Sequence, residues 1–298
     1  MLLISTLSSP MHRFCGNART RLVYKVIPYA SKGNTYNPRP MKLLPVPALA
    51  DNYIWLLHDG NNALVVDPGE AAPALRALEE HHLHAAGILV THHHADHCGG
   101  VAEVHAATGA TILAPADEHL PFVSAPFTAL HGGDTFEALG LHWRAIAVPG
   151  HTAGHMAYFT ENMDGAPLLF CGDALFCGGC GRIFEGTPAQ MLASLDALAA
   201  LPGATQVCAA HEYTLANLRF AQQVEPDNGA LAQHLAHCEQ LRAQERPTLP
   251  SSIALEQAIN PFLRSRSSAV TNAVRAHSGC SDDDVAVFAA LREWKNQA

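Results

Sequence analysis

Residues 88–100 read Ile-Leu-Val-Thr-His-His-His-Ala-Asp-His-Cys-Gly-Gly. An unbroken apolar run is what a strand covered on both faces requires, so the polar residues that follow, His92, His93, His94, Asp96 and His97, fall on the turn at its carboxyl end. Packing four imidazoles around a carboxylate costs desolvation and mutual repulsion unless a cation compensates. Imidazole nitrogen and carboxylate oxygen are both good ligands of first-row divalent metals. A single tetrahedral ion does not need that many ligands, so the stretch reads as half of a two-metal site. The alternative is a histidine-rich surface loop with no fixed ion, which a position directly after a buried strand disfavours.

The same arrangement recurs along the chain. Leu141 to Pro149 is strand-like and runs into His151-Thr152-Ala153-Gly154-His155; Leu168 to Cys171 runs into Gly172-Asp173; Thr205 to Ala210 runs into His211-Glu212-Tyr213. Four apolar strands therefore each deliver ligand-type residues at one end. Sheets flanked by helices gather their sites beyond the carboxyl ends of the strands, so residues as distant in sequence as His92 and His211 are expected to meet.

Around these motifs, Lys42 to Val46, Tyr53 to His58, Ala63 to Asp67 and Thr111 to Ala114 read as short strands. Residues 70–84 place Ala71, Ala74, Leu75, Leu78 and His82 on one helical face, and Val101 to Thr108 forms a second helix. Residues 115–130, with three prolines, read as irregular. Thr187-Pro188-Ala189-Gln190 is a helix start with a capping box, followed by an apolar face of Met191, Leu192, Leu195 and Leu198. After Tyr213 helical patterns take over, apart from a brief strand candidate around Ile253, with Leu231, Leu235, Cys238 and Leu241 on one face and a last helix, opened by Ser281 and three aspartates, bearing Val285, Phe288 and Leu291. The boundary is placed within 212–228, and the C-terminal domain is expected to be all helical.

A formal net charge of −9 argues against non-specific nucleic-acid binding, which needs a basic face. An anionic substrate must then meet a local basic patch, and between 240 and 279 Arg242, Arg246, Arg264, Arg266 and Arg275 outnumber Glu245 and Glu256. No apolar run reaches the roughly 18 residues of a membrane-spanning helix. The eight cysteines follow no repeating interval, and Cys177 and Cys180 read as two unconnected thiols, all of which suits a reducing compartment. The expectation is a soluble, cytoplasmic monomer. Residues 1–40 lack Asp and Glu and carry Arg13, Arg19, Arg21, Lys25, Lys32 and Arg39, either as an organellar transit peptide or as sequence upstream of a start at Met41. The division is 1–40 outside the fold, 41–212 catalytic and 213–298 helical and substrate-binding.

Thr91-His92-His93-His94-Ala95-Asp96-His97, Pro149-Gly150-His151-Thr152-Ala153-Gly154-His155, Gly172-Asp173 and Ala210-His211-Glu212-Tyr213-Thr214 together resemble the metallo-β-lactamase superfamily. With Gly-Gly-Cys-Gly-Arg-Ile-Phe-Glu-Gly-Thr at 178–187 and Asn-Pro-Phe-Leu-Arg at 260–264, the chain is similar, from Met41 onward, to its bacterial glyoxalase II (hydroxyacylglutathione hydrolase) branch. That resemblance implies an α/β fold, a four-layer αββα sandwich with an all-helical C-terminal domain. It also implies a binuclear centre, in which His92, His94 and His151 bind one ion, Asp96, His97 and His211 the other, and Asp173 bridges them. His93 and His155 match positions that are not direct ligands, and His155 is expected to orient the loop. The implied reaction is hydrolysis of the thioester S-D-lactoylglutathione to D-lactate and glutathione, a step of methylglyoxal detoxification, by a metal-bridging water that Asp96 and Asp173 position. Zinc is the expected ion, with iron and manganese as alternatives. Arg182, Phe184, Tyr213 and either Arg264 or Arg266 are implied to hold the glutathione part. Phe184 stands where the animal enzymes have a tyrosine, and Ser268 where a C-terminal lysine is expected, so the clamp on the glycine carboxylate is incomplete on this alignment. The rival readings are an iron-dependent glutathione persulfide dioxygenase of the same superfamily and a non-catalytic metal- or glutathione-binding protein.

Overall fold

The computed structural model describes residues 23–25, 40–121 and 125–298. Arg13, Arg19, Arg21, Lys32 and Arg39, which carry both N-terminal readings, lie outside the described residues. In chain order the elements are β1 (Val23–Lys25), β2 (Lys42–Ala48), β3 (Asn52–His58), β4 (Asn62–Val66), α1 (Ala71–Glu80), β5 (His84–Leu89), α2 (Ala95–Cys98) and α3 (Val101–Thr108). Then come β6 (Thr111–Pro115), β7 (Phe127–Leu130), β8 (Thr135–Ala138), β9 (Leu141–Ala147), β10 (Met156–Met163), β11 (Ala166–Gly172), β12 (Leu175–Phe176) and β13 (Gly179–Cys180). The chain continues through α4 (Pro188–Ala199), β14 (Gln206–Ala209), α5 (Thr214–Val224), α6 (Gly229–Ala243), β15 (Ser251–Ser252), α7 (Ile253–Ile259), α8 (Ser268–Ser278) and α9 (Asp284–Gln297).

Two sheets face each other, one in the order β2-β3-β4-β5-β6-β7 and one in the order β1-β8-β9-β10-β11-β14-β15. Successive side chains of a strand point to opposite faces, and β3 shows what this does to the core. Tyr53, Trp55 and Leu57 enter the layer between the sheets, where they join Leu64, Val66 and Leu89 and, from the second sheet, Phe136, Trp143, Tyr158 and Phe170. Ile54 and Leu56 point the other way, with Val65, Ile88 and Ile112, onto Ala74 and Leu78 of α1 and Val101 and Val104 of α3. Both faces are covered, so the strands read as continuous apolar runs rather than alternating ones. On the far side α4 lays Met191, Leu195 and Leu198 on the second sheet, held by the expected capping box of Thr187 and Gln190. The result is the αββα sandwich.

The C-terminal helices share this core. Phe220, Leu231, Phe262 and Phe288 belong to the same buried cluster as Trp143 and Phe170. Residues 212–228 therefore mark a change from sheet to helix rather than a gap in packing.

Four expectations need correction. Residues 1–40 are not wholly outside the fold, since β1 pairs in parallel with β8 at the edge of the second sheet. Residues 115–130 are not wholly irregular, because β7 pairs in parallel with β6; the prolines before it hid a run this short. The C-terminal segment is not all helical, since β15 adds two residues antiparallel to β14. Finally, α1 stops at Glu80, and His82 has φ +52°, so it leaves the helical face assigned to it.

Candidate metal centre

The ligand-type residues arrive from both sheets. His92, His94, Asp96 and His97 follow β5, the last two on the single turn of α2; His151 follows β9, Asp173 follows β11 and His211 follows β14. Gly172 makes the turn into Asp173 with φ +48°, and a Cβ there would stand 2.4 Å from Thr91 Oγ1 and 2.9 Å from the His155 ring. Only glycine combines that backbone with that closeness.

The side chains converge into three overlapping sets: His92, His94 and His151; His92, His97 and Asp173; and Asp96, His97 and His211, each with its ligand atoms within 4.8 Å of one another. His94 Nδ1 lies 3.1 Å from His92 Nε2 and 3.0 Å from His151 Nε2. His97 Nε2 and His211 Nε2 are 3.3 Å apart, and Asp96 Oδ2 is 3.5 Å and 3.4 Å from them. Asp173 stands between the groups. Its Oδ1 is 3.3 Å from both His97 Nε2 and His211 Nε2, and its Oδ2 is 3.4 Å from His151 Nε2.

These residues fit a cation. Asp173 Oδ1 is buried without a hydrogen-bond partner, a costly state for a carboxylate oxygen unless a positive charge faces it. His94 Nδ1, about 3 Å from two other imidazole nitrogens, cannot hydrogen-bond to both, yet those spacings match the edges of a ligand polyhedron with bonds of about 2.0–2.1 Å. The electrostatics agree. Burial keeps His92, His94 and His151 neutral by lowering their pKa, which leaves lone pairs to donate. At His97 and His211 burial also opposes charge, but Asp173 and Asp96 outweigh it and raise His211 to about 10. Burial likewise works against charge on Asp96 and Asp173, yet His97 and His211 hold both carboxyls well below the usual range. Protons on two imidazoles thus do the work a divalent cation does when it displaces them.

A further layer of hydrogen bonds aims these rings. Asp67, held at φ +50° just after β4, accepts from Thr91 N and Thr91 Oγ1, both at 2.7 Å, and lies 3.1 Å from His97 Nδ1. Asp51 Oδ1 is 2.8 Å from His211 Nδ1, Asn52 Nδ2 donates to Asp96 Oδ2 at 3.2 Å, and the Arg182 carbonyl is 2.8 Å from His151 Nδ1. His155 does not join the three sets; its Nε2 accepts from Asp173 N at 3.1 Å, and its ring stacks on His92. Asp51, Asn52 and Asp67 were missed from sequence. Asp67 had a signal, since it too ends an apolar strand.

A cleft of about 570 Å³ opens over the cluster, and Arg182, Phe184, Tyr213, Asn217, Arg292 and Lys295 line it. Phe184, 61% exposed, sets its ring edge-on to His94 and His151, while Tyr213 stacks on His211 at 4.6 Å. Arg264 and Arg266 are elsewhere, which corrects their assignment to the substrate. Arg264 forms a two-pronged pair with Glu225 at 2.8 Å, and Arg266 grips Asp196 at 2.7 and 2.9 Å and Asp284 at 2.6 Å. Besides Arg182, the cations that reach the cleft come from α9. Arg292 is buried, donates from Nη1 to the Cys180 carbonyl at 2.8 Å, and has an Nε without a partner. Lys295 lines the same cleft; burial, then the nearby Arg292 and Arg182, lower its pKa. Cys177 and Cys180 are separate free thiols.

Residues 49–211 match the model of the metallo-beta-lactamase superfamily, and residues 212–298 match that of the hydroxyacylglutathione hydrolase C-terminus. The chain is 60% identical over 257 residues to hydroxyacylglutathione hydrolase of Albidiferax ferrireducens, covering 86% of this chain and 100% of that one. It is 55% identical over 265 residues to hydroxyacylglutathione hydrolase of Cupriavidus taiwanensis, covering 86% and 98%. Among solved structures, ETHE1 from Myxococcus xanthus superposes with a TM-score of 0.54 at 22% identity, over 86% of this chain and 97% of that one, a likeness of fold. Two matched segments that meet at His211, and relatives aligned over nearly their full length, place this chain in the hydroxyacylglutathione hydrolase family of the metallo-beta-lactamase superfamily.

Proposed function

We propose that this chain hydrolyses the thioester S-D-lactoylglutathione to D-lactate and glutathione, using two divalent ions, zinc in the first instance. The observation that carries the reading is Asp173, whose two oxygens face different halves of the ligand cluster on the floor of a cleft that also holds Arg182, Arg292 and Lys295. His92, His94 and His151 would hold one ion, Asp96, His97 and His211 the other, and Asp173 both. When bound, such a pair supplies water acidified to hydroxide at neutral pH and a polarised thioester carbonyl.

The protein's own groups do the rest. Asp96, fixed by the Asn52 amide, is placed to orient the attacking water. Asp51 and Asp67 keep His211 and His97 turned inward. Glutathione carries two carboxylates, and Arg182, Arg292 and Lys295 offer three cations for them beside the aromatic rings of Phe184 and Tyr213. A thiolate leaves readily, so no strong general acid is needed at the sulfur. On this reading, residues 41–212 carry the chemistry and 213–298 hold the substrate. Six buried free cysteines among the described residues suit a reducing cytoplasm, and no described helix is long and apolar enough to cross a membrane. We take the working unit to be the monomer.

Purified, metal-loaded protein should consume S-D-lactoylglutathione with loss of thioester absorbance and one thiol released per turnover. Metal-replete protein that releases no thiol would end the reading. Neither the dioxygenase nor the non-catalytic alternative is favoured beside relatives this similar that are named as hydrolases.

A further inference from the structure

His93 stands between two ligand-type histidines and packs edge-on against His94, yet both its ring nitrogens engage carboxylates outside the cluster. Its Nδ1 meets Glu118 Oε2, and its Nε2 lies 3.3 Å from Glu185 Oε1. The Glu118 side chain is 1% exposed, and both its oxygens are occupied. Oε2 also accepts from His93 N at 3.2 Å, while Oε1 accepts from Thr152 Oγ1 and from Gly154 N at 3.0 Å. Glu185 makes a parallel tie, its Oε2 accepting from Ala153 N at 2.8 Å. Two carboxylates, one buried and one at the surface, therefore fasten the same imidazole to the same loop, the one that carries His151. Gly154 lies so close to the Asp117 carbonyl that a Cβ would approach it to 2.7 Å, so this contact has little slack.

We infer that Glu118 is a positioning residue that, through His93, sets the spacing between the loop of His92 and His94 and the loop of His151, and so the tightness of one of the two metal sites. This rests on the two-ion reading above. The two loops follow strands of different sheets, β5 and β9, so no shared strand pairing fixes their tips. A backbone bond from Met156 N to Thr91 O at 2.9 Å joins them at the base; Glu118 joins them where the ligands sit. The other half of the cluster has separate supports, Asp67 for His97, Asp51 for His211 and Asn52 for Asp96. Asp67 also reaches the first half, through Thr91 Oγ1, which lies 3.0 Å from His92 Nδ1, whereas Glu118 and Asp51 each serve one half, so those two carboxylates are separable by mutation. Because Glu185 follows Phe184, the same network also ends at the lip of the cleft.

The test uses the full chain with Glu118→Ala, Glu118→Gln and Asp51→Ala, reading ions per chain, affinity by chelator competition, and proton NMR of the cobalt-loaded protein, in which the two ions differ by having three or two imidazole ligands. Loss of an outer partner typically weakens a metal site roughly ten- to hundredfold. Glu118→Ala should weaken the three-imidazole ion by that amount and leave the other essentially unchanged, with kcat restored by excess metal. Glu118→Gln retains acceptors for Thr152 and Gly154 but sets an amide N–H2 against the His93 N–H, so it should fall between. Asp51→Ala should weaken the two-imidazole ion instead. Unchanged affinities in Glu118→Ala, or equal weakening of both ions together with a lowered melting temperature, overturn the inference. Wild-type protein that binds no ions at all overturns the two-ion reading beneath it.

Discussion

Replacing Lys295 by alanine tests whether α9 supplies the carboxylate clamp. The ammonium is partly buried, and its protein contacts are weak, the Ala216 carbonyl at 3.5 Å and the Phe220 ring at 5.2 Å. Its charge is thus left over for a ligand. Two unit charges about 4 Å apart attract by about 4 kcal/mol at an effective dielectric near 20. Desolvation and side-chain ordering remove much of that, and between the ~0–1 kcal/mol of an exposed pair and the ~1.5–3 kcal/mol of a charge-assisted hydrogen bond, about 1–2 kcal/mol is expected here. At tenfold per 1.4 kcal/mol, KM rises roughly 5- to 30-fold. The carboxylate is remote from the reacting carbon and is held equally in ground and transition states, so kcat should barely move. Steady-state kinetics across ionic strength check both points, because salt should raise the wild-type KM more steeply than that of the variant. There is also a signature in pH. Burial, then Arg292 and Arg182, lower the pKa of Lys295, so its charge is lost as pH rises at a lower pH than for an ordinary lysine. The wild-type KM should climb over that range while Lys295→Arg, which stays charged, remains flat. A fall in kcat at constant KM, or no change in either, would refute the assignment.

Asp173→Ala removes the oxygens that face both halves of the cluster; metal analysis should find at least one ion lost and nearly all activity gone, and full metal with a normal rate would show the ligand assignment to be wrong. Stripping the ions with a chelator should lower the melting temperature and abolish turnover, both recovered on adding zinc, since ligand at about 100 times its Kd stabilises by about 2.7 kcal/mol; an unchanged melting curve would refute this. Arg264→Ala should leave KM untouched but cost about 1–3 kcal/mol in denaturant unfolding, because Glu225, 5% exposed, loses its two-pronged partner. A raised KM with unchanged stability would return Arg264 to the substrate site.

The ligand cluster was legible in the sequence because each of its members ends an apolar strand. A buried strand is encoded by its own residues, and four such strands ending in His or Asp leave few places for those side chains other than a common end of the sheets. The helix at Thr187 was legible for a similar reason, since its cap lies within four residues. Runs of two to four residues, such as Val23–Lys25, Phe127–Leu130 and Ser251–Ser252, are too short to carry a period, and only pairing with a neighbour makes them strands. Charge partners were the least legible. Five arginines counted between 240 and 279 looked like an anion site, but Arg264 and Arg266 are consumed by Glu225, Asp196 and Asp284, whereas Arg292 and Lys295, on the last helix and outside that count, turn into the cleft. Periodic burial is local and survives in the order of residues along the chain. Which charge meets which depends on how α9 packs against α4 and α8, and that is decided only once residues far apart in sequence share one core.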